Sequence, residues 1–167
     1  MGKVVEEAKK NKTLNEKPIR FDLVKYRESG DTPLFFPGKV VADEKGKRLF
    51  IADSTHHRIV ITDLDGKKIA IAGTGQPGKE DGPFDKVRFD DPQGMALRGE
   101  TRYVADRKNH VSRALDLKKQ TVSTVAGSGE QGSDRRGRGK ALEVGLNSPW
   151  DLCFVGDDLY IAMAGFH

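Results

Sequence analysis

The chain contains an internal repeat: the segment 36–75 returns in altered form over 91–129, and a third copy begins later in the chain. The prolines that open the three copies are Pro37, Pro92 and Pro149, separated by 55 and then 57 positions. This period is too long for a two-helix solenoid unit and close to the roughly 40 to 50 residues of a four-stranded propeller blade with its connecting loop. Repetition constrains the fold more than any local motif, because every copy must form the same supersecondary unit.

Each copy consists of short apolar runs separated by glycine, aspartate and asparagine. Runs rich in Val, Ile, Leu and Tyr with turn residues between them are typical of a β-meander, and no comparable stretch has helical periodicity. The 167 residues are 36% hydrophobic and 32% charged and include 19 glycines, which favours a turn-rich, strongly hydrated β protein. We therefore predict an all-β fold: an incomplete propeller of about two and a half four-stranded blades.

The repeat divides the chain into two parts. Residues 1–33 do not match it and are predicted to be a linker or arm that follows an upstream domain. Residues 34–167 are predicted to be a partial propeller, with blades at about 34–75, 91–129 and 148–167, the third of them truncated.

Two segments of the arm have local patterns of their own. Residues 4–12 have the charge pattern of one or two helical turns, and residues 20–25 alternate like a strand. The chain has no run of about 18 apolar residues and its first twenty residues lack the apolar stretch of a signal peptide, so we predict no membrane partner. The single cysteine, Cys153, is predicted to pack as a small buried side chain, and it favours a reducing compartment such as the cytoplasm.

The loops between the repeat cores are also related. Val87 and Phe89 of the first loop correspond to Val144 and Leu146 of the second. Because a crossing from blade to blade leaves sheet faces that need cover, each apolar pair is predicted to fill the gap between neighbouring blades. Trp150, the single tryptophan, is predicted to pack between blades as well, with a place in a ligand funnel as the alternative.

Four polar residues recur with the repeat and are the main site candidates. Asp53 and Asp106 end the second strand of each copy, and His57 and His110 follow at the same offset. An aspartate before a turn accepts hydrogen bonds from the backbone N–H groups that follow, and repetition favours an architectural role in a strand-end network that pairs each aspartate with its histidine. Carboxylate and imidazole are also ligands for a divalent metal, which remains the alternative.

No nucleophile elbow, Ser-His-Asp arrangement or distinct carboxylate pair can be assembled from the sequence. We therefore predict no catalytic residue, no cofactor and no metal. One basic cluster could contact phosphates without sequence preference. It comprises Arg135, Arg136, Arg138 and Lys140. Against nucleic acid as a partner, the net charge is only +4, no aromatic residue interleaves the cluster, and Glu130 and Asp134 lie beside it.

Several motifs in the same order resemble the NHL repeat and, more closely, the family of NHL repeat-containing protein 2 and its bacterial relatives. They are Phe36-Pro37-Gly38-Lys39-Val40, Asp53 to Val60, Asp91-Pro92-Gln93-Gly94-Met95-Ala96, and Leu146 to Asp151. The match covers about residues 31–167. The resemblance implies a thioredoxin-like domain followed by an NHL propeller, with the arm similar to the linker between them. The chain has no Cys-x-x-Cys, so the resemblance implies no thioredoxin redox site here.

The resemblance leaves three classes of function. We predict a non-catalytic propeller segment that acts as a protein-interaction scaffold in a larger protein, whose missing blades cover its exposed ends. The alternatives are a metal-dependent hydrolase or lyase, since related propellers include such enzymes, and RNA binding through the basic loop, since some NHL propellers bind RNA. Plant relatives of the family are plastid-associated, so the resemblance allows a plastid as the compartment.

Overall fold

The computed structural model describes residues 6–7, 9–12, 32–132 and 138–165. The chain forms two compact units, Met1–Asp31 and Thr32–His167. In the first unit, described residues within 6–10 are helical and the Asn11 N–H donates to the Glu7 carbonyl at 2.9 Å, as the charge pattern predicted. The predicted strand over 20–25 lies outside the described residues. Within the described part of the chain, no helix is long and apolar enough to span a membrane.

The second unit is built from short antiparallel strands. In the described residues they are β1 Lys39–Asp43, β2 Arg48–Asp53, β3 Arg58–Asp63, β4 Lys68–Ala72, β5 Gly82–Pro83, β6 Pro92–Arg98, β7 Thr101–Asp106, β8 Val111–Asp116, β9 Thr121–Ala126, β10 Pro149–Val155 and β11 Asp158–Met163, with a 3-10 turn at Ser54–His56.

The strands form three sheets, one for each copy of the repeat. The first has the order β1-β2-β3-β4, the second β5-β9-β8-β7-β6, and the third consists of β10 and β11. The first strands of successive sheets lie beside one another, with β6 between β1 and β10. This arrangement confirms the all-β propeller predicted from the repeat: one four-stranded blade, a second four-stranded blade with the two-residue β5 added at its edge, and two strands of a third. The predicted residue boundaries of the linker and of the three blades, and the predicted upstream domain, stay predictions.

A shared core joins the first two blades. It comprises Phe50, Ala52, Ile59, Ile61, Ala72, Phe84, Val87, Phe89, Met95, Val104, Leu115 and Val122. Val87 and Phe89 are wholly buried in it, which confirms that the first loop fills the gap between blades. Burying a side chain such as that of Phe89 contributes roughly 1.5–3 kcal/mol. A smaller core, in which Leu152 packs with Ala96 and Ala105, joins the second blade to the third.

The two interblade loops make equivalent backbone hydrogen bonds. The Gly73 N–H donates to the Phe84 carbonyl at 2.9 Å, and the Gly127 N–H donates to the Ala141 carbonyl at 2.8 Å. Both glycines have positive φ angles, 117° and 96°. A Cβ atom at Gly127 would lie 2.3 Å from the carbonyl oxygen of His110, so the chain needs glycine here for both conformation and space.

We expect Gly127→Ala to lower the free energy of unfolding by about 2–3 kcal/mol, because it combines left-handed strain with a backbone clash. Gly99→Ala is the matched control: its φ of 56° is also positive, but a Cβ atom there meets nothing within 4 Å. Urea unfolding of the two variants should show the larger loss at Gly127. Equal losses would mean that the close approach to His110 contributes nothing.

The face of the third sheet that points away from the second blade is exposed. Leu152 and Phe154 pack toward the second blade, and strand alternation therefore turns Cys153 to the opposite face. Cys153 is exposed, so the prediction that it is buried was wrong. Val155 and Tyr160 are 62% and 56% exposed on this face.

Candidate functional site

The first strands of the blades begin at the same end of the molecule as the second strands finish. Lys39 pairs with Ala52 in the first blade, and Pro92 pairs with Asp106 in the second. We call this end the strand-start face and define it by the residues that flank the opening prolines together with the turns that follow β2 and β7. The recurring aspartates and histidines all lie here, as do the exposed residues at the start of β10.

Asp53 and Asp106 are wholly buried at equivalent positions. Asp53 accepts hydrogen bonds from the Phe35 N–H at 2.7 Å and the Arg58 Nε at 2.8 Å. Asp106 accepts from the Asp90 N–H at 2.8 Å. The prediction that each aspartate accepts from the backbone N–H groups that follow it was therefore wrong. Because the strands are antiparallel, each carboxylate faces the segment leading into the first strand of its own blade and fixes that segment instead.

The third blade replaces this aspartate with methionine. Met163 occupies the position of Asp53 and Asp106, and its Sδ accepts the Asn147 N–H at 3.3 Å. Thioether sulfur is a weak acceptor, so the third blade keeps the contact but not the charge.

Sequence reasoning missed the arginines that neutralise the buried carboxylates. Arg113 is wholly buried, and its Nη1 donates to Asp106 at 2.9 Å. It also donates to the carbonyls of Glu80 and Arg88, and its guanidinium lies 5.2 Å from the centre of the Phe89 ring. Arg58 has the equivalent role at Asp53 but lies two positions earlier in the repeat. The one available signal was an arginine within a predicted strand, next to apolar residues such as Ala114 and Leu115.

Burial raises the pKa of the Asp106 carboxyl to about 7, and hydrogen bonds from Asn109, the Asp90 backbone and Arg113 oppose that shift. The donors around Asp106 all suit the ionised form, since a carboxylate only accepts hydrogen bonds. Removing Arg113 would leave this carboxylate in an apolar setting with fewer donors.

His57 and His110 contact the next blade rather than the recurring aspartates. The Nδ1 of His57 accepts the Asp91 N–H at 3.1 Å, and the Nδ1 of His110 accepts the Ser148 N–H at 3.1 Å. The predicted pairing of aspartate with these histidines was therefore wrong. Asp53 contacts the neighbouring His56 instead, with 2.8 Å between Oδ2 and Nδ1, and Asp106 contacts Asn109. The offset from aspartate to histidine recurs because both residues belong to one turn.

The alternative role of the recurring aspartates and histidines was to bind a divalent metal. Among the described residues, no group of three or more His, Cys, Asp and Glu side chains is placed to hold a metal ion. The basic cluster is only partly described: Arg135 and Arg136 lie outside the described residues, and Lys140 pairs with Glu143 at 3.0 Å. Arg138 lies in the same loop, and nucleic-acid binding through it stays a prediction.

The accessible part of the strand-start face combines an aromatic ring with charged groups. Trp150 is 48% exposed, so its predicted packing between blades was wrong. A register shift between Pro149 and Asp151 places Trp150 at a β-bulge, which redirects its side chain. The guanidinium of Arg107 lies 5.4 Å from the centre of the Trp150 ring.

Neighbouring groups hold this surface in place. The Nε of Arg107 donates to Asp91 at 3.0 Å, and the Nζ of Lys39 lies 2.5 Å from Asp151. The second pair joins β1 to β10 across β6. Gly94 lets β6 and β10 come close, because a Cβ atom there would lie 2.6 Å from the Trp150 carbonyl oxygen. Gly94 and the Lys39–Asp151 ion pair therefore set the spacing of β1, β6 and β10 beside the exposed ring.

Comparison with known proteins gives relatives over most of the chain. It is 44% identical over 144 residues to NHL repeat-containing protein 2 of Gallus gallus and of Homo sapiens, which covers 81% of this chain and 20% of each relative. It is 47% identical over 141 residues to Protein SUPPRESSOR OF QUENCHING 1, chloroplastic, of Arabidopsis thaliana, covering 13% of that protein. The chain thus spans about a fifth or less of these relatives. No protein-family model matches it.

Solved structures share the fold. A protein of unknown function from Bacteroides thetaiotaomicron superposes with a TM-score of 0.69 at 27% identity, over 77% of this chain and 32% of that one. An auxiliary nutrient binding protein from the same organism superposes with a TM-score of 0.60 at 19% identity, over 73% of this chain and 33% of that one. The second likeness shows the fold alone.

Proposed function

Because this chain belongs to the family of NHL repeat-containing protein 2, we propose that it is a non-catalytic propeller segment whose strand-start face binds a protein partner within a longer protein. The observation that carries the proposal is the exposed Trp150 with Arg107 beside it. Tryptophan and arginine are enriched at the energetic centres of protein interfaces, because they bury a large area while keeping polar contacts.

The rigidity of the surface supports a binding role. The buried pairs at Asp53 and Asp106 fix the segments that lead into β1 and β6, and Arg107 is held by Asp91. A preorganised side chain loses little conformational entropy when a partner binds. Irregular segments on a rigid repeated frame are also where binding residues concentrate.

The other predicted partner is the remainder of the propeller. We propose that further blades of the longer protein cover the exposed face of the third sheet, where Val155 and Tyr160 lie. The equivalent face of the first blade is already covered by the second blade through the shared core. The enzyme and RNA-binding alternatives have no comparable support among the described contacts. The cytoplasm, or a plastid for a plant protein, stays the predicted compartment.

We expect Trp150→Ala to remove specific protein partners from the full-length protein while leaving its melting temperature within a few degrees of wild type, because the side chain is half exposed. Quantitative affinity capture followed by mass spectrometry of the wild-type and variant proteins checks this. Leu64→Ala is the matched control, since Leu64 is 54% exposed in the turn between β3 and β4 at the opposite end of the blade.

The proposal requires partners that are lost with Trp150→Ala, kept with Leu64→Ala, and recovered in direct binding of the purified proteins. If both variants capture the same partners as wild type, the strand-start face is not the binding surface. Arg107→Ala supplies a second test, because it leaves the ring in place but removes the cation above it.

A further inference from the structure

The histidine contacts described above recur with the same geometry at both joints between blades. His57 and His110 each follow the turn after a second strand, with left-handed φ angles of 50° and 54°. The N–H groups that they accept belong to Asp91 and Ser148, which also have positive φ angles, 60° and 51°, and immediately precede the opening prolines of the next blades. Each histidine therefore links the turn of one blade to the first strand of the next.

The contact requires a neutral imidazole ring. A nitrogen that accepts an N–H must carry a lone pair, so Nδ1 is unprotonated and the ring proton lies on Nε2. In the imidazolium both nitrogens are donors, and Nδ1–H would face a backbone N–H. Protonation thus converts an attractive contact into the juxtaposition of two donors.

We propose that His57 and His110 are pH-sensitive latches between successive blades, closed when the rings are neutral and released when they are protonated. A latch at each of two consecutive joints would make the relative position of the blades, and not only their stability, respond to mild acidification. The inference concerns the propeller frame and does not depend on the proposed protein partner.

The charged groups around the two rings are not the same. Nδ1 of His57 lies 3.4 Å from the Asp90 carboxylate, and Asp91, Lys108 and His56 are also near. His110 faces Glu130 and Arg107, and among the described residues no carboxylate lies within ion-pair distance of its ring. A protonated His57 can donate from Nδ1 to the Asp90 carboxylate, which compensates in part for the lost contact with the Asp91 N–H. We therefore expect protonation to weaken the latch at His110 more than the latch at His57.

Burial lowers the pKa of both rings below the ordinary value of 6.5; Asp90 opposes the shift at His57, and Glu130 opposes it at His110. The folded state therefore binds fewer protons than the unfolded state in this range. The stability from these contacts is fully present above about pH 6.5 and is lost as the pH falls through the folded pKa of each ring.

The test is hydrogen exchange, measured by mass spectrometry at pH 7.5 and pH 5.5 and corrected for the intrinsic exchange rates. In the wild-type protein, protection of the peptide that contains Ser148 should fall on acidification by up to about tenfold, the limit set by a released ring that titrates at the ordinary pKa of 6.5. His110→Asn keeps a short acceptor that does not titrate, so this pH dependence should disappear while protection at pH 7.5 stays near wild type.

Two further variants separate the latch from a general loss of stability. His110→Ala should expose the Ser148 peptide at both pH values, and His56→Asn, which leaves both joints intact, should keep the wild-type response. ¹⁵N NMR of the histidine rings should show the Nε2–H tautomer at neutral pH. The proposal is overturned if the ring carries its proton on Nδ1, or if His110→Asn responds to acid as wild type does.

Discussion

Replacement of Arg113 by alanine is expected to lower the free energy of unfolding by about 3–5 kcal/mol, the usual result of leaving a buried charge without its partner. Arg113 and Asp106 are both wholly buried, and the two side chains are joined at 2.9 Å. The same guanidinium holds the carbonyls of Glu80 and Arg88, so its loss also frees the first interblade loop. Chemical denaturation at pH 7.5 measures the effect.

An exposed pair between the second and third blades is the control for this prediction. Arg98 pairs with Asp157, whose side chain is almost fully exposed, and Arg98→Ala is expected to cost less than about 1 kcal/mol. Arg113→Met separates the contribution of packing from that of charge, because methionine keeps most of the side-chain volume but leaves Asp106 without its cation. Asp106→Asn added to Arg113→Met should recover part of the loss. Similar losses of unfolding free energy for Arg113→Ala and Arg98→Ala would show that the buried pair contributes no more to stability than the exposed pair.

Phe89→Ala is expected to cost about 3–5 kcal/mol, because it opens a cavity at the centre of the core that joins the first two blades. Phe89 is wholly buried, lies in the first interblade loop and packs under the guanidinium of Arg113. The effect should be concentrated at the joint, so that hydrogen exchange in β3 and β6, which contribute to this core, accelerates more than in β11.

The second copy of the repeat suggests the matched control. Leu146 occupies the position of Phe89 in the second loop, so Phe89→Leu gives the first joint the residue that the second joint already has. We expect this change to cost roughly 1–2 kcal/mol, since it removes volume without leaving the site empty. If Phe89→Leu were as damaging as Phe89→Ala, ring-specific contacts with Arg113 would outweigh filled volume.

The two predictions also bear on the proposed binding surface. Arg113 and Phe89 are wholly buried, and Arg113 contacts the segment that precedes Pro92 through the Arg88 carbonyl. A partner lost with Trp150→Ala but retained at moderate temperature with Phe89→Leu would indicate that the surface, rather than the stability of the joint, determines binding.

Features that follow from the repeat were predictable from the sequence. The spacing of Pro37, Pro92 and Pro149 predicted the blades, and the similarity of the two loops predicted that Val87 and Phe89 fill the gap between them. Both rest on the same physical basis: a repeated pattern of apolar residues must bury itself in a repeated way, because no single blade can cover its own faces. The positive φ angles at Gly73 and Gly127 follow from the chain leaving an outer strand, where glycine has no steric cost.

Partnerships between distant residues were not predictable in the same way. The sequence by itself determined the number of repeats, the all-β fold and the recurrence of Asp53 and Asp106, since these follow from local period and composition. Only the tertiary structure decided that Arg113 neutralises Asp106, that His110 belongs to the joint with the third blade, and that Trp150 is exposed. Those outcomes depend on strand register, on a β-bulge and on which blades are neighbours. Antiparallel pairing brings together residues whose separation along the chain follows no regular period, so the sequence pattern does not reveal their contacts.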